Sequence, residues 1–137
     1  MAGDVEHHRE ALIAAARAVR ARAHAPYSGF AVGAAVLDEQ GRIHAGANVE
    51  NAAYPQGWCA EASALAAMVS AGERTVVAVL TVCEGDLVGT CCGGCRQKIR
   101  EFADLDVPIW ACGPEGIRAE FTLADLLPHS FGPEHLR

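Results

Sequence analysis

A chain of 137 residues with 51% hydrophobic and 20% charged residues has material for a buried core and is too apolar for general disorder. Eleven Lys and Arg against seventeen Asp and Glu leave a formal net charge of −6, which argues against a phosphate-tracking surface and a nucleic-acid partner, and suits a small neutral substrate. No run approaches the roughly 20 apolar residues of a membrane span, and the charged first ten residues lack the apolar core of a signal peptide. The expectation is one domain over 1–137 in a reducing cytoplasm, without a membrane partner. There, six cysteines serve as thiols or metal ligands rather than as disulfides.

Residues Val5 to His24 are Ala- and Arg-rich, with Leu12, Ile13, Ala16 and Val19 near helical spacing, and read as one amphipathic helix. Pro26 to Gly29 is a turn, with Tyr27 read as a packing residue at the helix–strand junction. Phe30 to Leu37 and Arg42 to Asn48 form an antiparallel hairpin about Asp38-Glu39-Gln40-Gly41. Gly33 inside the first strand signals close approach by a backbone or a ligand. Asn48 and Glu50 at the hairpin's end suit turn chemistry, and equally the hydroxyls of a sugar.

A loop containing Pro55 and Gly57 leads into a helix from Cys59 to Ala71-Gly72. Thr75 to Cys83 is an apolar run like that of a strand covered on both faces. Gly93-Gly94 opens a helix to Phe102, Val107 to Cys112 is another buried strand, and Phe121 to Leu127 reads as a short strand edge and a helical turn. Alternating helix and strand in the second half predicts parallel strands. The fold expected is three-layer α/β/α, a mixed sheet of about five strands with an N-terminal antiparallel hairpin and helices on both faces.

The chemistry concentrates in Cys59-Ala60-Glu61 and Cys92-Gly93-Gly94-Cys95. Three sulfur ligands leave the fourth position of a tetrahedral zinc to water, and a carboxylate can carry that water's proton. Cys92 and Cys95, three apart, can face one metal from a helix start. Cys59 and Glu61, two apart, point about 200° from each other on a regular helix. They share one environment only where the helix begins near Cys59, with the metal off its N-terminal end. Helix N-termini then favour the thiolates. A closed structural site with Cys83, Cys91 or Cys112 as fourth ligand is the competing reading, and spacing alone does not choose between Cys91 and Cys92 as the partner of Cys95. No histidine stands at ligand spacing to a cysteine, so the six read as surface or packing residues.

Five blocks in order carry a resemblance: Pro26 to Ala35, Asn48 to Pro55, Cys59 to Glu61, Cys92 to Gln97 and Leu126 to Pro133. From about Ala25 to Leu136 the chain resembles the cytidine deaminases of the small, zinc-dependent, homotetrameric kind. The resemblance implies hydrolytic deamination of cytidine and 2′-deoxycytidine to the uridine forms with release of ammonia, as in pyrimidine salvage. It implies one zinc ion per subunit on Cys59, Cys92 and Cys95, with Glu61 as proton carrier. It implies that Phe30 and Ala60 lie against the nucleoside and that Asn48 and Glu50 hold the ribose hydroxyls. Tyr54 and Phe131 would reach a neighbouring subunit's site, so that active sites are shared within a homotetramer.

Two departures from the resemblance stand out. Many such enzymes carry Arg after the Cys-Ala-Glu block, where it hydrogen-bonds ligand sulfurs, and this chain has Ala62. Because neighbouring donors tune a metal site, Arg96 is the first candidate to replace it. Where a Pro commonly precedes the first Cys of the pair, this chain has Cys91, a thiol that is either benign or able to misligate. Alternatives are a deaminase of another cytosine nucleoside such as blasticidin S, disfavoured by the tail Ser130 to Pro133, and a non-catalytic zinc-stabilised oligomer with Glu61 on its surface. A polynucleotide editor is disfavoured by the acidic charge.

Overall fold

The computed structural model describes residues 2–137. Helices α1 (Ala2–His7) and α2 (Arg9–Arg20) precede strands β1 (Val32–Asp38) and β2 (Ile43–Ala47). Helix α3 (Ala60–Ser70), β3 (Val76–Cys83), α4 (Gly93–Phe102), β4 (Pro108–Gly113), β5 (Gly116–Thr122) and the single turn α5 (Leu123–Leu126) follow. Among the described residues, no helix is long and apolar enough to cross a membrane.

The strand order is β2-β1-β3-β4-β5. Strand β1 runs antiparallel to both β2 and β3, β3 is parallel to β4, and β4 is antiparallel to β5. Strands β2, β3 and β4 therefore all point the same way, and α3 and α4 both start from the sheet end where those strands finish. That shared end is where open α/β sheets place ligands.

The two-residue alternation of a strand sorts the core into two halves. Ala34, Val36, Val79 and Ile109 face α3 and α4, where Leu65, Met68 and Ile99 are buried. Ala35, Leu37, Leu80 and Trp110 face Leu12, Ile13 and Ala16 of α2. Burying a side chain such as Leu12 or Leu80 contributes about 1.5–3 kcal/mol relative to exposure. The layers are α/β/α, as expected.

Two glycines set how closely the helices approach. A Cβ at Gly33 would stand 2.0 Å from the Ala16 carbonyl oxygen, and one at Gly46 would stand 2.4 Å from the Ala64 nitrogen. The close approach anticipated at Gly33 is thus by the backbone of α2 and not by a ligand.

Three expectations are corrected. The single opening helix is two, meeting at His8, and the second ends at Arg20 because His24 pairs with the chain beyond β2: its N–H donates to the Asn48 carbonyl and its carbonyl accepts from Glu50 N–H. The strand anticipated near Phe121 begins at Gly116 and forms a hairpin with β4. Its sequence alternates Ile117, Ala119 and Phe121 with Arg118, Glu120 and Thr122, as an edge strand does. Tyr27 is half exposed, not packed into the core.

Candidate active site and metal centre

Backbone bonds in both directions between Val49 and Trp58, each 2.8 Å, hold the loop before α3 against the continuation of β2. A 3₁₀ turn over Tyr54–Gln56 lies inside that loop. Cys59 then takes an extended conformation at φ −74°, ψ 154° as the capping residue of α3, and Cys92 caps α4 in the same way at φ −66°, ψ 164°. Neither side chain caps its own helix, so both sulfurs are free to converge. They stand 3.8 Å apart. Cys95, in the first turn of α4, brings its sulfur within 4.8 Å of both.

Among the described residues this is the one group of three or more His, Cys, Asp or Glu side chains whose ligand atoms meet. Cys83, Cys91 and Cys112 stay outside it, so no fourth protein ligand closes the site. Two sulfurs about 2.3 Å from one tetrahedral zinc stand about 3.8 Å apart, and the donor set fits that ion.

The electrostatics point the same way. Burial pushes the thiols of Cys59 and Cys95 up, and neighbouring negative groups push them further: Cys92 for Cys59, and Glu61 for Cys95. Burial acts on Cys92 too, but the Cys95 backbone and the Cys95 and Cys59 thiols beside its sulfur outweigh it and leave it lowered. One thiolate is favoured by a helix N-terminus, and the other two need a cation.

Glu61 is the second residue of α3 and is only 6% exposed. Burial pushes its carboxyl up, opposed by its own backbone N–H and, to a smaller extent, by the Cys91 thiol beside it. It lines a cavity of about 230 Å³ headed by Cys59, Ala60 and Cys92. Val32, Thr81 and Cys83 form the sheet side of this cavity, Gly89 and Thr90 the loop side, and Phe30 and Asn48 also line it. This burial excludes a surface position for Glu61 and does not favour the non-catalytic reading.

The anticipated binding residues divide. Phe30, Asn48 and Ala60 share the cavity with Glu61. Asn48 is pinned, with Oδ1 accepting from Val32 N–H at 2.9 Å and Nδ2 donating to the Phe30 carbonyl at 2.8 Å. One amide hydrogen and one lone pair remain for a ligand. Glu50 and Tyr54 line a second cavity of about 340 Å³ with Tyr27 and Ser28. Glu50 Oε1 accepts from the N–H groups of Tyr27 and Ser28, at 3.0 and 3.1 Å, and Oε2 from the Ser28 hydroxyl. The Ser28 hydroxyl leads the bonds that hold the Glu50 carboxyl below its ordinary value. The larger cavity holds neither the sulfurs nor Glu61, so the chemistry belongs to the smaller one. Phe131 lines neither: it is more than half exposed, its ring stacks on His135 at 4.9 Å, and its carbonyl accepts from Gln97.

Arg96 is not the sulfur donor anticipated. Its Nε donates to the Cys91 carbonyl at 2.8 Å, Nη1 to the Leu126 carbonyl at 2.9 Å and Nη2 to the Thr90 hydroxyl at 3.0 Å. All three atoms face the loop before Cys92 and the end of α5. Cys91 is buried, and burial, with Glu61 beside it, holds its thiol protonated. It lies beside Glu61 and outside the metal group. Two residues gained no role from the sequence. Ser28 links Glu50 to Phe30, whose N–H donates to its hydroxyl at 3.0 Å. Thr81, one of the few polar residues in the β3 run, carried a signal, since its parity with Val79 and Cys83 turns it toward α3 and α4.

A family model described as "Cytidine and deoxycytidylate deaminase zinc-binding region" matches residues 6–111. The chain belongs to this family. It is 42% identical over 127 residues to a cytidine deaminase of Sporosarcina psychrophila, covering 93% of each chain. It is 39% identical over 116 residues to a cytidine deaminase of Mycobacterium tuberculosis, covering 85% of this chain and 84% of that one. Among solved structures, the cytidine deaminase of Burkholderia pseudomallei superposes with a TM-score of 0.83 at 38% identity, over 89% of this chain and 98% of that one. The deaminase family is thus supported by fold, by sequence and by the sulfur group at the heads of α3 and α4.

Proposed function

We propose that this chain is a cytidine deaminase, hydrolysing the exocyclic C–N bond of cytidine and 2′-deoxycytidine to give the uridine nucleosides and ammonia. One observation carries the reading: a buried carboxylate, Glu61, lines the same cavity as two sulfurs of a three-cysteine group. Zinc held by Cys59, Cys92 and Cys95 supplies the positive charge that makes a water acidic enough to attack at neutral pH. Glu61 accepts one proton from the attacking water and gives it to the pyrimidine ring nitrogen, then takes the remaining hydroxyl proton of the tetrahedral adduct and gives it to the departing amine, which leaves as ammonia. Its raised affinity for protons suits a group that both takes and returns one. Phe30 and Ala60 lie against the nucleoside, while Asn48 and Glu50 take the ribose hydroxyls. Exposed Tyr54 and Phe131 support a homotetramer in which each contacts a neighbouring subunit's site. We place 1–137 in one domain and, given six free cysteines, the protein in a reducing cytoplasm.

The test follows loss of the cytosine absorbance band on adding cytidine, for the native chain and Glu61→Gln, with zinc measured in both. Activity falls by roughly 10²–10⁴-fold in Glu61→Gln with zinc retained. Undiminished turnover would refute the assignment.

A further inference from the structure

The end of the chain is held to α4 by a clasp that the chemistry above does not use. Arg100 lies in the helix that carries Cys95, and its side chain is only 9% exposed. Its Nε donates to the Ser130 hydroxyl at 2.9 Å, and Nη2 pairs with the Glu134 carboxylate. Between these two ties Gly132 lies directly on the guanidinium. A Cβ at Gly132 would stand 2.4 Å from Arg100 Cζ and 2.5 Å from each terminal nitrogen. Earlier on the same helix, Gln97 donates to the Phe131 carbonyl at 2.8 Å. To admit a methyl group there the guanidinium would have to shift, and its ties to Ser130 and Glu134 would shift with it. The backbone on both sides of Phe131 is therefore fixed, while its ring projects outward with His135 stacked on it.

We infer that Arg100 is a positioning residue for the reaction: with Gln97 it seats residues 130–134 on α4 and so sets where the Phe131 ring projects, and Gly132 is the position at which a side chain would displace its guanidinium. The inference rests on the reading that Phe131 contacts substrate across a subunit boundary. It joins that contact to the helix bearing two of the three sulfurs, so one rigid element places both the metal group and the tail.

The experiment measures kcat and KM for cytidine in Phe131→Ala, Gly132→Ala, Glu134→Gln and the Phe131→Ala, Gly132→Ala double variant, with amide hydrogen exchange over residues 130–135. Gly132→Ala and Glu134→Gln leave the buried part of α4 intact, which an Arg100 substitution does not. Phe131→Ala raises KM roughly three- to tenfold, the loss expected for one aromatic contact, with a smaller effect on kcat. Gly132→Ala and Glu134→Gln raise KM in the same sense and speed exchange over 130–135. The double variant is no worse than Phe131→Ala, because both changes act through one contact. If Phe131→Ala leaves KM unchanged, the substrate-contact reading falls and the inference with it. If Phe131→Ala raises KM while Gly132→Ala and Glu134→Gln do not, that reading stands and the positioning role of the clasp is overturned.

Discussion

The sulfurs of Cys59 and Cys92 stand 3.8 Å apart although 33 residues separate them. Each caps a helix, and the two helices start from one end of the sheet because β2 and β3 run in the same direction. Convergence is a consequence of topology: two crossovers on one face, each beginning with a cysteine in extended conformation.

Metal removal tests this arrangement directly. Cys59→Ser, Cys92→Ser or Cys95→Ser lowers the zinc content measured after dialysis, whereas Cys83→Ser and Cys112→Ser do not. Chelation of the native chain lowers its thermal midpoint, each kcal/mol of lost linkage counting for roughly 3–5 °C in a chain of this size.

Arg96→Ala leaves two carbonyls and a hydroxyl without their donor. It costs about 1–3 kcal/mol in denaturant unfolding. Because no sulfur is among its partners, zinc at saturating concentration still binds one ion per chain. Arg96→Lys restores only part of the stability, since an ammonium cannot span three acceptors in the geometry of a guanidinium. A full rescue by lysine would contradict this assignment.

Gly46→Ala brings a methyl group against the backbone of α3, where Ala64 N and the Ser63 side chain leave no room. The helix has to lift from β2, at a cost of about 1–3 kcal/mol. Because α3 carries Cys59 and Glu61, activity falls along with the melting temperature. A variant as stable as the native chain would show that the contact can relax.

Asp38 makes stability depend on pH. Its side chain is fully buried, which by itself raises its pKa, but hydrogen bonds from His44 and from the N–H groups of Arg42 and Gln40 outweigh burial and hold it below the ordinary 3.8. The ionised form is therefore favoured by folding. Its contribution is fully present above the unfolded value and is lost as the pH falls through the lower folded value. Asp38→Asn is less stable near neutrality and loses less between pH 5 and pH 2 than the native chain. Parallel unfolding curves for the two proteins over that range would rule this out.

Much of the fold was legible because burial imposes periodicity. Helix α4 lies over Gly93 to Phe102 as its glycine start indicated, and β3 differs from its reading by one residue. Strand β5 was read too late because its outer face meets solvent, so it lacks the continuous apolar run that marked β3. The break at His8 left no mark either, since alanines and arginines suit one long helix as well as two short ones.

Residue types and local spacing determined the chemistry on offer: soft sulfur ligands, a carboxylate, and a helix start at which Cys59 and Glu61 can serve one site. That much follows from the 3.6-residue period and the preference of zinc for thiolates. Only the tertiary structure decided which groups meet. Cys91 turns to Glu61 and Cys92 to the other sulfurs because one backbone step at a helix cap reverses a side chain's direction. Arg96 spends its donors on the loop and α5, Arg100 clasps the tail, and Glu50 is bound to Ser28. Cys92 and Cys95 aside, each of these pairings joins residues at least five apart, and most of them more than twenty. Charge and spacing name the candidates, but distance in space selects the partner.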